Sequence, residues 1–104
     1  MIRINTEYRK GILFVRFIGR IDCDDYINWV DNLINDFGIR CVVFNLNDLN
    51  YVSLENIDHI MKYYYKMLKK KKFLFICDSN LGRCRLFKNI IPKVSSELET
   101  FSLI

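Results

Sequence analysis

Ile39-Arg40-Cys41-Val42-Val43-Phe44-Asn45-Leu46-Asn47-Asp48-Leu49-Asn50-Tyr51-Val52-Ser53 is the segment from which the architecture of this chain can be worked out. Its first half is nearly all apolar, β-branched or aromatic, and shows no polar–apolar alternation. That pattern predicts a central strand, residues 39–46, covered on both faces. Asn47 to Val52 then reads as a polar loop closing on a hydrophobic pair, with Ser53 capping a helix. The helix that follows carries the clearest amphipathic stripe of the sequence: Ile57, Ile60, Met61, Tyr64, Met67 and Leu68.

Working upstream, residues 2–8 predict a short strand and Arg9-Lys10-Gly11 a turn, with glycine supplying permissive backbone angles. Residues 12–18 predict a well-buried strand ended by Gly19. Asp24 or Asp25 opens a helix whose core positions are Ile27, Val30, Leu33, Ile34 and Phe37, stopped near Gly38. Downstream, Lys69 to Lys72 closes the second helix and Phe73 to Cys77 forms another buried strand. Asp78-Ser79-Asn80 reads as a turn and cap for a short helix through about Asn89. Pro92 breaks the chain, and Ser96 with Glu99 has capping-box spacing for a last helix through Phe101.

The order β-β-α-β-α-β-α-α predicts an α/β domain spanning 1–104. Its mixed sheet of about four strands, an opening hairpin plus parallel crossovers, is covered by about four helices. Residues 47–55 and 78–81 fall at the carboxyl ends of the central strands, where open α/β sheets usually bind their ligands.

Composition narrows the function. With 51% hydrophobic and 27% charged residues over 104 positions, the chain can build one core and is not disordered. No apolar run approaches the roughly 20 residues of a membrane span. The Ile12–Ile18 stretch is broken by Arg16 and lacks a small-residue cleavage site, so a cytoplasmic protein without a membrane partner is expected. Cys23, Cys41, Cys77 and Cys84 make no C-x-x-C pair, and Cys41 and Cys77 sit inside apolar runs. Reduced thiols are expected rather than disulfides or a metal site of Cys77, Cys84 and His59.

No catalytic constellation emerges. His59 stands alone on a helix, Ser53 has no general base nearby, and Asp22, Asp24 and Asp25 suit helix capping. The four glycines are scattered and make no phosphate loop. Neither enzyme activity nor a cofactor is expected. Residues 1–60 carry a net charge of −3 and residues 61–104 a net charge of +7. Lys62, Lys66, Lys69 and Lys70 line one helical face, continued by Lys71 and Lys72. No recognised nucleic-acid motif accompanies them, so a solvated face is the expectation, and nucleic-acid binding ranks below protein binding.

The layout resembles the STAS domain, the sulphate-transporter and anti-sigma-factor-antagonist family, over nearly the whole chain. Gly19-Arg20-Ile21-Asp22 is similar to the family's Gly-x-Leu/Ile-Asp. The buried strand from Cys41 to Leu46 leads through Asn47-Asp48-Leu49-Asn50 to Tyr51-Val52 and a helix, and Leu86-Phe87 matches in kind. The family's Asp-Ser-Ser-Gly motif, whose second serine a partner kinase phosphorylates, falls on Ser53, Leu54, Glu55 and Asn56. Glu55 thus stands at the phosphorylation position, and the usual switch is expected to be absent there. The resemblance implies a non-enzymatic bacterial regulatory module with a protein partner of the anti-sigma factor or serine-kinase type. The implied contact residues are Asp22, Asp24, Asn50, Tyr51, Ser53, Leu54, Glu55 and Asn56. A small-ligand or nucleotide-sensing domain using the same strand ends is the alternative.

Overall fold

A tight hairpin starts the fold. Arg9 and Ile12 face each other across Lys10 and Gly11, both with positive φ (50° and 85°), as a two-residue type I′ turn requires. The turn joins β1 (Ile2–Arg9) to β2 (Ile12–Ile21). In the computed structural model, which describes residues 2–103 other than 22 and 24, the chain continues through α1 (Asp25–Asp36), β3 (Cys41–Val52), α2 (Leu54–Lys69), β4 (Phe73–Cys77), α3 (Leu81–Leu86), β5 (Lys93–Val94) and α4 (Glu97–Thr100).

The sheet order is β1-β2-β3-β4-β5, antiparallel in the opening hairpin and parallel thereafter. The mixed α/β sheet expected from the element order is present, with five strands rather than about four. The additional one, β5, is only two residues long and directly follows Pro92, whose carbonyl accepts a bond from the Ile76 amide at 2.9 Å. So short a strand has no periodicity to read.

Alternation along the strands divides the buried residues between the two faces of the one sheet. Leu13, Val15, Phe17, Val42, Phe44, Leu46, Leu74 and Ile76 point toward α1 and α2, where Val30, Ile34, Ile57, Ile60 and Met67 meet them. On the opposite face Ile12, Phe14, Cys41, Val43, Phe75, Cys77 and Val94 form a smaller cluster. Phe101 closes it, its ring edge-on to Phe14 at 5.6 Å. The covering C-terminal segment is fastened by Arg16, which donates to Glu97 at 2.7 and 2.8 Å and to Glu7 at 2.9 Å; Asn45 donates to Glu97 at 2.8 Å.

Several expectations change. Tyr63, not Tyr64, enters the core, because its hydroxyl reaches Asp31 Oδ1 at 3.0 Å and can be buried with a partner. Tyr64 stays half-buried and Leu68 is exposed. On α1 Tyr26 is buried, while Phe37, just past the helix end, is 73% exposed. The third helix stops at Leu86 rather than near Asn89, since Lys88 and Asn89 adopt left-handed backbone (φ 53° and 58°). The largest change is in β3. Asn47 to Val52 is not a loop: the strand runs on for 12 residues to Val52. Its pairing with β2 shifts between Arg16 and Ile18 and again between Gly19 and Arg20, each time inserting an extra β3 residue. The polar residues that read as a turn are strand residues arranged around these bulges.

Candidate functional site

Beyond Asn45, β3 outruns its neighbour, because β4 ends opposite it at Cys77. The exposed length of ladder is served by side chains. Arg83 on α3 donates from Nη2 to the Leu46 carbonyl at 2.8 Å and from Nη1 to the Leu49 carbonyl at 3.1 Å. The same guanidinium pairs through Nε and Nη2 with Asp78, whose carboxylate is fully buried. Asn47 Oδ1 accepts from the Ser79 amide at 2.8 Å. Arg83 and Asn47 therefore do the work of a missing strand and hold the bulged end of β3 against the β4–α3 connection. Asp78 was expected as a turn residue, and it is buried against Arg83 instead. Nothing local in the sequence signals their pairing, which depends on where β3 and β4 end.

This braced segment delivers the chain to α2. Ser53 caps the helix in extended backbone (φ −72°, ψ 155°), its Oγ accepting from the Asn56 amide at 3.1 Å and from Asn56 Nδ2 at 2.9 Å. Ser53 is half-buried, and its own amide donates to the Ile21 carbonyl. Asn56 is 3% exposed. It was expected at the contact surface, but it lies beneath it and holds the cap from inside.

The remaining expected residues gather on the surface. Asn50 and Tyr51 are exposed at the end of β3, with the Arg20 guanidinium 4.5 Å from the Tyr51 ring centroid. Leu54, at the first turn of α2, is 70% exposed, and the Glu55 side chain is 81% exposed. Glu55 Oε1 lies 4.0 Å from His59 Nε2, one turn along. Beside them, Leu54, Ile57, Asp58, Met61, Leu86 and Lys88 help line a shallow groove of about 360 Å³ between α2 and α3. Asp22 and Asp24 lie outside the described residues.

Other candidate chemistry is absorbed by the fold. Cys41, Cys77 and Cys84 are buried and Cys23 is exposed, all as free thiols. Burial pushes the Cys41 thiol up to about 11, and burial foremost also raises Cys77 and Cys84. None of the three is poised as a thiolate. Among the described residues, no three His, Cys, Asp or Glu side chains cluster to hold a metal ion. Part of the lysine face is engaged: Lys62 pairs with Asp58 and Lys66 with Asp31, each at 3.2 Å, and Lys72 donates to Asn35 at 3.2 Å. Among the described residues, no helix is long and apolar enough to cross a membrane.

Comparison with solved structures places the fold. An anti-sigma factor antagonist from Mycobacterium paratuberculosis superposes with a TM-score of 0.78 at 14% identity, over 100% of this chain and 94% of that one. The anti-sigma factor antagonist SpoIIAA in its unphosphorylated form gives 0.74 at 8% identity, over 96% and 94%. The chain has a SpoIIAA-like fold. An uncharacterised protein of Shewanella loihica, described as SpoIIAA-like in fold, gives 0.58 at 17% identity over 98% and 92%. No protein-family model matches the sequence, and no curated protein sequence matches it. The architecture that the STAS resemblance implied is thus present at a sequence identity that carries the fold alone.

Proposed function

We propose that the protein is a non-enzymatic regulatory module that binds a protein partner through the end of β3 and the first turn of α2. The observation supporting this reading is the exposure of Tyr51 and Leu54 beside Glu55 on a backbone held by Arg83, Asn47 and the Ser53 cap. A leucine at a helix start with most of its surface in water contributes little to folding. Set beside an aromatic ring and a polar rim, it has the makeup of an interface anchor. Asp22 and Asp24 stay in the proposed contact set on the strength of the STAS resemblance.

The proposed partner is of the anti-sigma factor or serine-kinase type: two proteins that share the fold are named anti-sigma factor antagonists, and the kinase part of the proposal rests on the STAS resemblance alone. Glu55 takes the place of the phosphorylated serine, so the module does not switch by phosphorylation at position 55. Ser53 is read as the cap of α2, its Oγ accepting from both the amide and the side chain of Asn56. A fixed carboxylate carries about one negative charge, against roughly 1.5 to 2 for a phosphoserine, and has fewer acceptor oxygens. We read Glu55 as a first-turn acid fitted to a partner of its own rather than as a permanent imitation of the phosphorylated state.

Titration of candidate kinase-type partners by calorimetry tests both points. Leu54→Ala is expected to weaken binding about tenfold or more, since a buried anchor contributes at least about 1–2 kcal/mol. Glu55→Ser is expected to leave affinity unchanged or lower it. A gain of affinity on Glu55→Ser would establish the imitation instead, and full binding by Leu54→Ala would remove the surface from the reading.

A further inference from the structure

On the other side of the sheet from α3, β1 forms a free edge among the described residues. Because Arg9 and Ile12 close a two-residue turn, they are a hydrogen-bonded pair, and the pattern alternates from there. Arg3, Asn5, Glu7 and Arg9 therefore turn their amides and carbonyls toward β2. Those of Ile2, Ile4, Thr6 and Tyr8 point outward, and among the described residues no strand takes them. This edge carries no proline and no bulge, the usual devices that prevent an edge from pairing.

An apolar face adjoins it. Tyr8, 59% exposed, lines a groove of about 340 Å³ with Thr6, Leu13, Leu33, Phe37 and Ile39. Leu33 and Phe37 continue a stripe begun by Trp29, at intervals of four residues along the outer side of α1, and Trp29 is 49% exposed.

We propose that β1 pairs with β1 of a second copy of this chain, antiparallel about a twofold axis through Asn5. The choice of occupant rests on self-complementarity. In this register Arg3 lies opposite Glu7 of the other copy, and Glu7 opposite its Arg3, on one face of the extended sheet. Ile2 meets Tyr8 and Ile4 meets Thr6 on the other face. Both outward-facing pairs, Ile2 with Tyr8 and Ile4 with Thr6, are hydrogen-bonded pairs in this register, giving about eight ladder bonds across the axis. A register displaced by two residues loses the charge match, and one displaced by a single residue sets the apolar face against the charged one. The two grooves then meet over the paired strands, and the Trp29–Leu33–Phe37 stripes close over them.

Light scattering coupled to size-exclusion chromatography tests this, with equilibrium sedimentation across a concentration series. The wild-type protein is expected to sediment at twice the 12.5 kDa chain mass as concentration rises. Thr6→Pro removes an outward amide that β2 does not use, so the monomer keeps its fold while dimer affinity falls at least tenfold. Arg3→Glu, which sets acid against Glu7, does the same. In a Cys23→Ser background, Asn5→Cys is expected to cross-link to itself under mild oxidation, because residue 5 faces its own copy at about 4.5 Å. Arg3→Cys is not. A wild-type monomer at every soluble concentration overturns the proposal, as does an undiminished dimer in Thr6→Pro or cross-linking through position 3 rather than 5.

Discussion

Replacing Arg83 by methionine tests whether the surface around α2 depends on a buried brace. The substitution keeps most of the aliphatic stem and removes the guanidinium, whose side chain is 11% exposed and whose partner, Asp78, is fully buried. Breaking such a pair strands a charge and typically costs about 3–5 kcal/mol. The carbonyls of Leu46 and Leu49 lose their donor as well, which favours the upper half of that range. For a chain of this size about 1 kcal/mol corresponds to roughly 4 °C, so thermal unfolding should fall by about 12–20 °C. Hydrogen exchange should quicken most at residues 47–53, the length of β3 that Arg83 and Asn47 hold. Adding Asp78→Asn to Arg83→Met should restore at least about 1 kcal/mol, because the stranded charge is gone. A loss under about 1 kcal/mol for Arg83→Met, with unchanged exchange at 47–53, would refute the reasoning: water would then be serving those carbonyls and the brace would be incidental.

Three further outcomes are expected. Ser53→Ala removes the cap oxygen of α2 and should cost about 1 kcal/mol, read by chemical denaturation. Hydrogen bonds from Arg16 hold the Glu97 carboxyl below its ordinary value near 4.5, so its contribution is complete above that pH and fades as the pH falls through the lower, folded value. Wild type should therefore lose stability in acid more steeply than Glu97→Gln, which starts less stable at neutral pH. Tyr63→Phe, which deletes the bond to Asp31, should cost about 1 kcal/mol with little change in helix content by circular dichroism.

What could be read from the residues follows from the range over which each signal acts. The strands beginning at Ile12, Cys41 and Phe73, and the helices behind Asp25 and Ser53, announce themselves through runs and periodicities a few residues long. Those signals do not depend on the rest of the fold. The extension of β3 to Val52 is different. Asn47, Asp48 and Asn50 have the local chemistry of a turn, and they stay in a strand because Arg83, 33 positions after Asn50, reaches the neighbouring carbonyls. The choice between Tyr63 and Tyr64 likewise turned on Asp31 in another helix. At the candidate site the exposure of Leu54 was legible from its place at a helix start, whereas Tyr51, read as part of a loop, stands exposed on the extended strand. The burial of Asn56 was not legible, because it depends on the way the cap folds back on itself.

The two proposed surfaces are mechanically compatible, and the sheet topology explains why. β1 lies at one edge, and the candidate binding surface lies at the carboxyl end of β3, two strands in. Antiparallel pairing of β1 with its copy reverses the direction of every strand in the second subunit. The carboxyl ends of the two β3 strands, and the Tyr51–Leu54–Glu55 surfaces they carry, then face away from each other. The proposed pairing through the edge would thus cover the apolar groove at Tyr8 and Phe37 without occluding either candidate surface. The brace between Arg83 and Asp78 sits beyond β3 from the paired edge, so the edge can be blocked by Thr6→Pro while the surface at α2 keeps its supports. The proposed assembly and the proposed partner binding are therefore expected to be separable by substitution.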